Sequence, residues 1–118
     1  MELGLEHSEV RIVDYTDKWV VEFETVKHDL INSTGLEGER IEHIGSTAIK
    51  GMPAKPIIDI LVGVNDLNSV DKSLFQCFGK EGFLRLKVER SGEIVLAKFK
   101  DDSYQVKTHF IHLVEYRK

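Results

Sequence analysis

One cysteine, two prolines and no apolar run approaching the roughly 18 residues of a membrane span set the first limits on this 118-residue chain. The lone Cys77 cannot close an internal disulfide, and it falls in an apolar helical pattern that reads as core packing rather than as a reactive thiol. With 42% hydrophobic and 31% charged residues, no repeats and no low-complexity segment, the composition excludes a disordered or fibrous chain. The start, MELGLEHSEV, is acidic where a secretion signal is basic and then apolar, so cytoplasm is the expected compartment and no membrane association is expected. Positive charge is also short: 16 Lys/Arg face 20 Asp/Glu, net −4, which argues against nonspecific binding to a nucleic-acid backbone.

The deficit is uneven. Residues 1–44 carry 4 Lys/Arg against 11 Asp/Glu, net −7, whereas residues 45–118 carry 12 against 9, net +3. A basic excess of that kind suits a small phosphorylated ligand, and equally a set of scattered surface lysines. The length predicts one domain spanning residues 1–118.

Residues 10–15, VRIVDY, read as a short strand or extended lead-in, and Thr16-Asp17 supplies a helix N-cap. Trp19, Phe23, Val26 and Leu30 then recur at helical spacing until NSTG, where Gly35 suits a left-handed stop. RIEHI, 40–44, predicts a strand. PIIDILVGV, 56–64, predicts a central strand whose near-continuous apolar run implies cover on both faces. A second helix is expected from Asp66 to Gly79, followed by a hairpin of FLRLKVE and EIVLAKFK around RSG, a turn at DDS, and a last strand YQVKTHFIHLVEY. Helices interspersed with strands of this order predict an α+β fold on a single mixed sheet.

The candidate chemistry centres on EHIGSTAIKGMPAKPIIDILV, 42–62. Gly45-Ser46-Thr47 offers consecutive amides and two hydroxyls as a cradle for phosphate oxygens, or a tight turn capped by those hydroxyls. It is not a Walker A loop, because Lys50 is followed by Gly51-Met52. Asp59 interrupts an apolar strand, where a carboxylate needs a metal or hydrogen-bond partners. Alternation puts Ile57 and Leu61 on its face and Ile58 and Ile60 on the other. Lys55, at the strand entrance, is placed to neutralise Asp59 or a ligand phosphate, or is a plain surface lysine. His109 and His112 point to opposite faces of the last strand and form no ready-made metal pair. His112 shares its face with Phe110 and Val114, and His109 with Ile111 and Leu113. His43 is a further candidate or strand filler.

Taken in order, these residues resemble the GrpB family, which is related to the nucleotidyltransferase superfamily. The resemblance is carried by RIVDYTDKWVVEFE, by IEHIGSTAIKGMPAKPIIDILVGV and by THFIHLVEY, and covers nearly the whole chain. It implies a nucleotidyltransferase-like α+β fold, a mixed β-sheet with helices packed against it. It also implies a Gly-Ser element, here Gly45 and Ser46, that holds nucleotide phosphates, and carboxylates, here Asp59, that bind Mg²⁺ for nucleotidyl or phosphoryl transfer. On this reading Thr47 and Lys55 join the phosphate site, Asp59 and His112 carry the reaction, and His43 and His109 are accessory.

Three departures follow from the same resemblance. The superfamily's second carboxylate, two residues after the first, is Leu61 here. Phe110 occupies the first place of a His-x-His pair, which leaves His112. GrpB-like chains also continue with a helical tail, and this sequence stops at Arg117-Lys118. The expected ligand is therefore a nucleotide or phosphorylated small molecule, with an incomplete carboxylate set for transfer. The alternative is a non-catalytic accessory or interaction domain that retains the fold. Metal-dependent hydrolysis by His43, His109 and His112 rests on histidine count alone.

Overall fold

The computed structural model describes residues 3–87 and 92–116. Among these residues two α-helices and six strands follow the order β1 (Leu5–Glu6), α1 (Lys18–Thr34), β2 (Ile41–Ile44), β3 (Ile58–Val64), α2 (Lys72–Lys80), β4 (Phe83–Arg85), β5 (Ile94–Phe99) and β6 (Val106–Glu115). The sheet runs β2-β3-β6-β5-β4. β3 and β6 are parallel, and the other neighbours in that order are antiparallel. β1 extends the sheet against the start of β6, with Leu5 opposite Lys107.

Helix α1 forms where the apolar stripe predicts it. Thr16 starts it, its Oγ1 accepting from Lys18 N and its carbonyl from Trp19 N. Gly35 ends it in the left-handed conformation, φ 74°, with its N–H on Ile31 O. Trp19, Phe23, Val26 and Leu30 are buried, and Val20 remains exposed. Each contributes about 2 kcal/mol from burial, which orders the helix despite a turn-rich entry. The VRIVDY stretch is an extended lead-in, tied by one bridge in which Val13 and Ala54 exchange two hydrogen bonds.

The second predicted helix divides. Asp66 caps a 3-10 turn over Leu67–Ser69 through Asn68 N, and Asp71, in extended conformation, caps α2 by accepting from Leu74 N. Two aspartates compete as caps, and the chain breaks between them. In α2 the buried residue is Phe78, and Cys77 is a half-buried free thiol rather than core. The β4–β5 hairpin forms as expected, and most of its RSG turn lies outside the described residues.

Both helices cover one face of the sheet. Ile58, Ile60, Val62, Ile111, Leu113 and Leu96 join the α1 stripe and Phe78 in a single core. The expectation that β3 is covered on both faces is corrected: among the described residues no helix packs on the other face, where Asp59, Leu61, Phe110, His112 and Val114 are half-buried. The apolar run reflects a central position between β2 and β6, which removes the edges but not one face. Among the described residues no helix is long and apolar enough to cross a membrane.

Candidate functional site

At the end of β2 the chain must turn sharply towards β3. Gly45 permits this with φ 75° and ψ −171°, a region open essentially to glycine alone. The turn presses on Asp59: a Cβ built at Gly45 would lie 2.9 Å from Asp59 Oδ2. Ser46 is exposed after the turn. Thr47 is buried, its hydroxyl 2.9 Å from His43 Nε2 and 3.5 Å from Ile57 O. The Thr47 side chain therefore ties the turn to the sheet, and its hydroxyl is already engaged.

Asp59 stands on the open face of β3, with its side chain 32% exposed. Its Oδ1 accepts from His112 Nε2 at 3.0 Å. The other ring nitrogen of His112, Nδ1, meets Glu93 Oε1. Two carboxylate acceptors, one at each ring nitrogen, favour the protonated ring, which donates from both. The hydrogen bond to Asp59 raises the His112 pKa most, burial opposes it, and Glu93 adds to the rise. The cation on Asp59 is thus His112, and Lys55 makes no ion pair with another described residue.

Glu93 is the member the sequence analysis missed. Val95 lies opposite His112 in the β5–β6 register, so Glu93, two residues before Val95, shares the His112 face. The only local signal was its alternation with Val95 and Ala97, which says nothing about the partner strand.

The other two candidate histidines, His43 and His109, lie elsewhere. His43 stacks on Phe23 of α1, ring centroids 4.9 Å apart, and burial lowers its pKa. His109 is buried on the helix-covered face, between Glu22 Oε2 at 2.7 Å and Thr108 Oγ1 at 2.7 Å. Burial also lowers its pKa, against the pull of Glu22. Neither reaches the Asp59–His112–Glu93 row, so no three-histidine set forms.

An open cleft of about 570 Å³ lies between the turn after Gly45 and the segment 5–9. Ser46, Lys55, Asp59, Lys107 and Phe110 line it. His112 is not among the lining residues; it stands behind Asp59 and acts on the cleft only through it. The wall formed by β1 and the presence of Lys107 were likewise not foreseen.

The family profile described as GrpB protein matches residues 9–118. This chain belongs to the GrpB family. It is 41% identical over 116 residues to the glutamate-rich protein GrpB of Alkalihalophilus pseudofirmus, covering 98% of this chain and 67% of that one. The crystal structure of the conserved protein GrpB from Enterococcus faecalis superposes with a TM-score of 0.73 at 29% identity, over 92% of this chain and 63% of that one. The GrpB chain described here therefore spans less than two thirds of that structure's length. A cytoplasmic RNA terminal U-transferase shares the fold, with a TM-score of 0.51 at 15% identity over 86% of this chain and 31% of that one. The α+β sheet of this GrpB chain is nucleotidyltransferase-like.

The Mg²⁺ implied by that fold needs oxygen ligands, commonly one or two carboxylates with phosphate oxygens and waters. Here Asp59 Oδ1 is taken by His112, the next carboxylate position is Leu61, and an imidazolium has no lone pair to offer. Among the described residues no group of three His, Cys, Asp or Glu side chains is placed to hold a metal ion. The residues present do not fit a two-carboxylate metal centre.

Proposed function

We propose that this GrpB-family chain binds a nucleotide or another phosphorylated small molecule in the cleft after Gly45. One observation carries the reading: the exposed Ser46, the ammonium groups of Lys55 and Lys107 and the Asp59 carboxylate all line the same cavity of about 570 Å³. That volume falls in the usual range for small-molecule sites. Ser46 and the turn amides take phosphate oxygens, the two lysines offset their charge, and Phe110 offers an apolar surface to the rest of the ligand. Asp59, held by His112, is the cleft carboxylate beside the Gly45 turn, and it is able to accept a proton from an attacking hydroxyl during nucleotidyl or phosphoryl transfer.

Calorimetry with ATP, GTP, CTP and UTP tests the binding. Lys55→Ala is expected to weaken the preferred nucleotide about tenfold, the loss of one charge-assisted contact. Ser46→Ala is expected to weaken it less. An absence of heat with all four nucleotides at millimolar concentration would count decisively against a nucleotide ligand.

A second reading, a non-catalytic accessory or interaction domain, is favoured by Leu61 in the second carboxylate position. Nucleotide binding without product in a transfer assay, together with a stable protein partner, would favour it.

A further inference from the structure

Both ring nitrogens of His112 are committed, Nε2 to Asp59 Oδ1 at 3.0 Å and Nδ1 to Glu93 Oε1. The His112 ring therefore already stands between the two carboxylates that come closest to forming a metal centre on this face. The side chains of Asp59, His112 and Glu93 are 32%, 22% and 21% exposed, so the row is half-buried, with Asp59 its end towards the cleft. Leu61 lies opposite His112 in the β3–β6 register and puts an isobutyl group where a further carboxylate would bring a divalent ion into contact. A metal that took both Asp59 Oδ1 and Glu93 Oε1 would have to displace the His112 ring.

The arrangement also solves a problem of charge. Asp59 faces the cleft, and an unpaired carboxylate there would repel a phosphate. With His112 bonded to Asp59 from behind, the carboxylates left facing Lys55 and Lys107 in the cleft are Glu6 and Glu9, of which Glu9 is paired with Arg11.

We propose that the site accepts its anionic ligand without a divalent metal, the His112 ring standing in the metal's place between Asp59 and Glu93, and Glu93 acting as the positioning residue that holds it there. The ligand half of this proposal rests on the phosphate reading above, and the metal half does not.

The metal half is tested by Mn²⁺ titration of protein carrying ¹⁵N in its five histidines, followed through the imidazole signals. His112 is expected to show a slowly exchanging, downfield Nδ1 proton, broadened by Mn²⁺ no more than that of the exposed His28 on α1. In Glu93→Gln that proton signal is expected to move upfield and exchange faster, with the backbone amide spectrum retained. Saturable, selective broadening of His112 below millimolar Mn²⁺ would overturn the proposal, as would an unchanged His112 signal in Glu93→Gln.

The ligand half is tested by calorimetry of ATP and of inorganic pyrophosphate in EDTA and in Mg²⁺. Affinity in EDTA is expected to lie within about threefold of that in Mg²⁺, and Glu93→Gln to weaken both by about fivefold. Binding that requires Mg²⁺ overturns the proposal and leaves the phosphate reading standing. No binding in either buffer sinks the phosphate reading, while the Mn²⁺ titration still decides for or against the His112 ring in place of the metal.

Discussion

Replacing Gly45 with alanine should destabilise the protein by about 2–4 kcal/mol and disturb Asp59 in the same stroke. At φ 75° and ψ −171° an L side chain is strained by roughly 1–3 kcal/mol. The new Cβ would also lie 2.9 Å from Asp59 Oδ2, 3.4 Å from its Cβ and 3.5 Å from its Cγ. Contact below 3.0 Å forces a shift, and Asp59 cannot swing aside without stretching its 3.0 Å bond to His112. Losing that charged hydrogen bond adds about 1 kcal/mol or more. Urea unfolding followed by the fluorescence of Trp19, the single and buried tryptophan, reads the sum. With a urea slope of roughly 1–3 kcal/mol per molar, the midpoint should fall by about 1–2 M. Gly79→Ala is the control: it lies in α2, a Cβ there meets nothing within 4 Å, and alanine should stabilise by about 0.5–1 kcal/mol. A Gly45→Ala protein within about 0.5 kcal/mol of the parent would refute both the backbone strain and the contact with Asp59.

The pH dependence should have two flanks. The His112 pKa is raised, chiefly by Asp59, so its contribution is full below the ordinary histidine value of 6.5 and is lost as pH climbs through the raised value. Burial lowers the pKa of His43 and of His109, so their contribution holds above 6.5 and is lost as pH falls. Urea midpoints between about pH 5 and 8 should therefore lose their alkaline slope in His112→Gln and part of their acid slope in His109→Gln; an unchanged alkaline slope in His112→Gln would contradict the imidazolium. Leu61→Asp places a second carboxylate on the Asp59 face, and Mn²⁺ electron paramagnetic resonance should then detect a saturable site absent from the parent. Trp19→Ala, at a position 1% exposed, should cost about 3–5 kcal/mol in the same urea assay, and a loss under 1 kcal/mol would show that α1 is not anchored by its aromatic stripe.

Much of the architecture was legible because it is encoded over short distances. The 19, 23, 26, 30 stripe is a period of the helix itself, and Gly35 is a conformational necessity of its end. Alternation in β3 and β6 correctly separated Asp59 from Ile58 and Ile60, and His109 from His112, since neighbouring side chains in a strand point opposite ways whatever the strand packs against. The failures were also physical. Asp71 won the competition to cap α2, and a central strand proved apolar without being covered twice.

By itself, then, the sequence determined the family, the helix faces and the side of the sheet on which Asp59 and His112 stand. It did not determine what His112 would meet. Asp59 is 53 residues before it and Glu93 19 residues before it, and they converge only because β3 pairs parallel to β6 while β5 pairs antiparallel on its other edge. Strand periodicity fixes a face, but the register between strands is a property of long-range pairing and packing. That register turned an isolated carboxylate and a lone histidine into a paired, charged row.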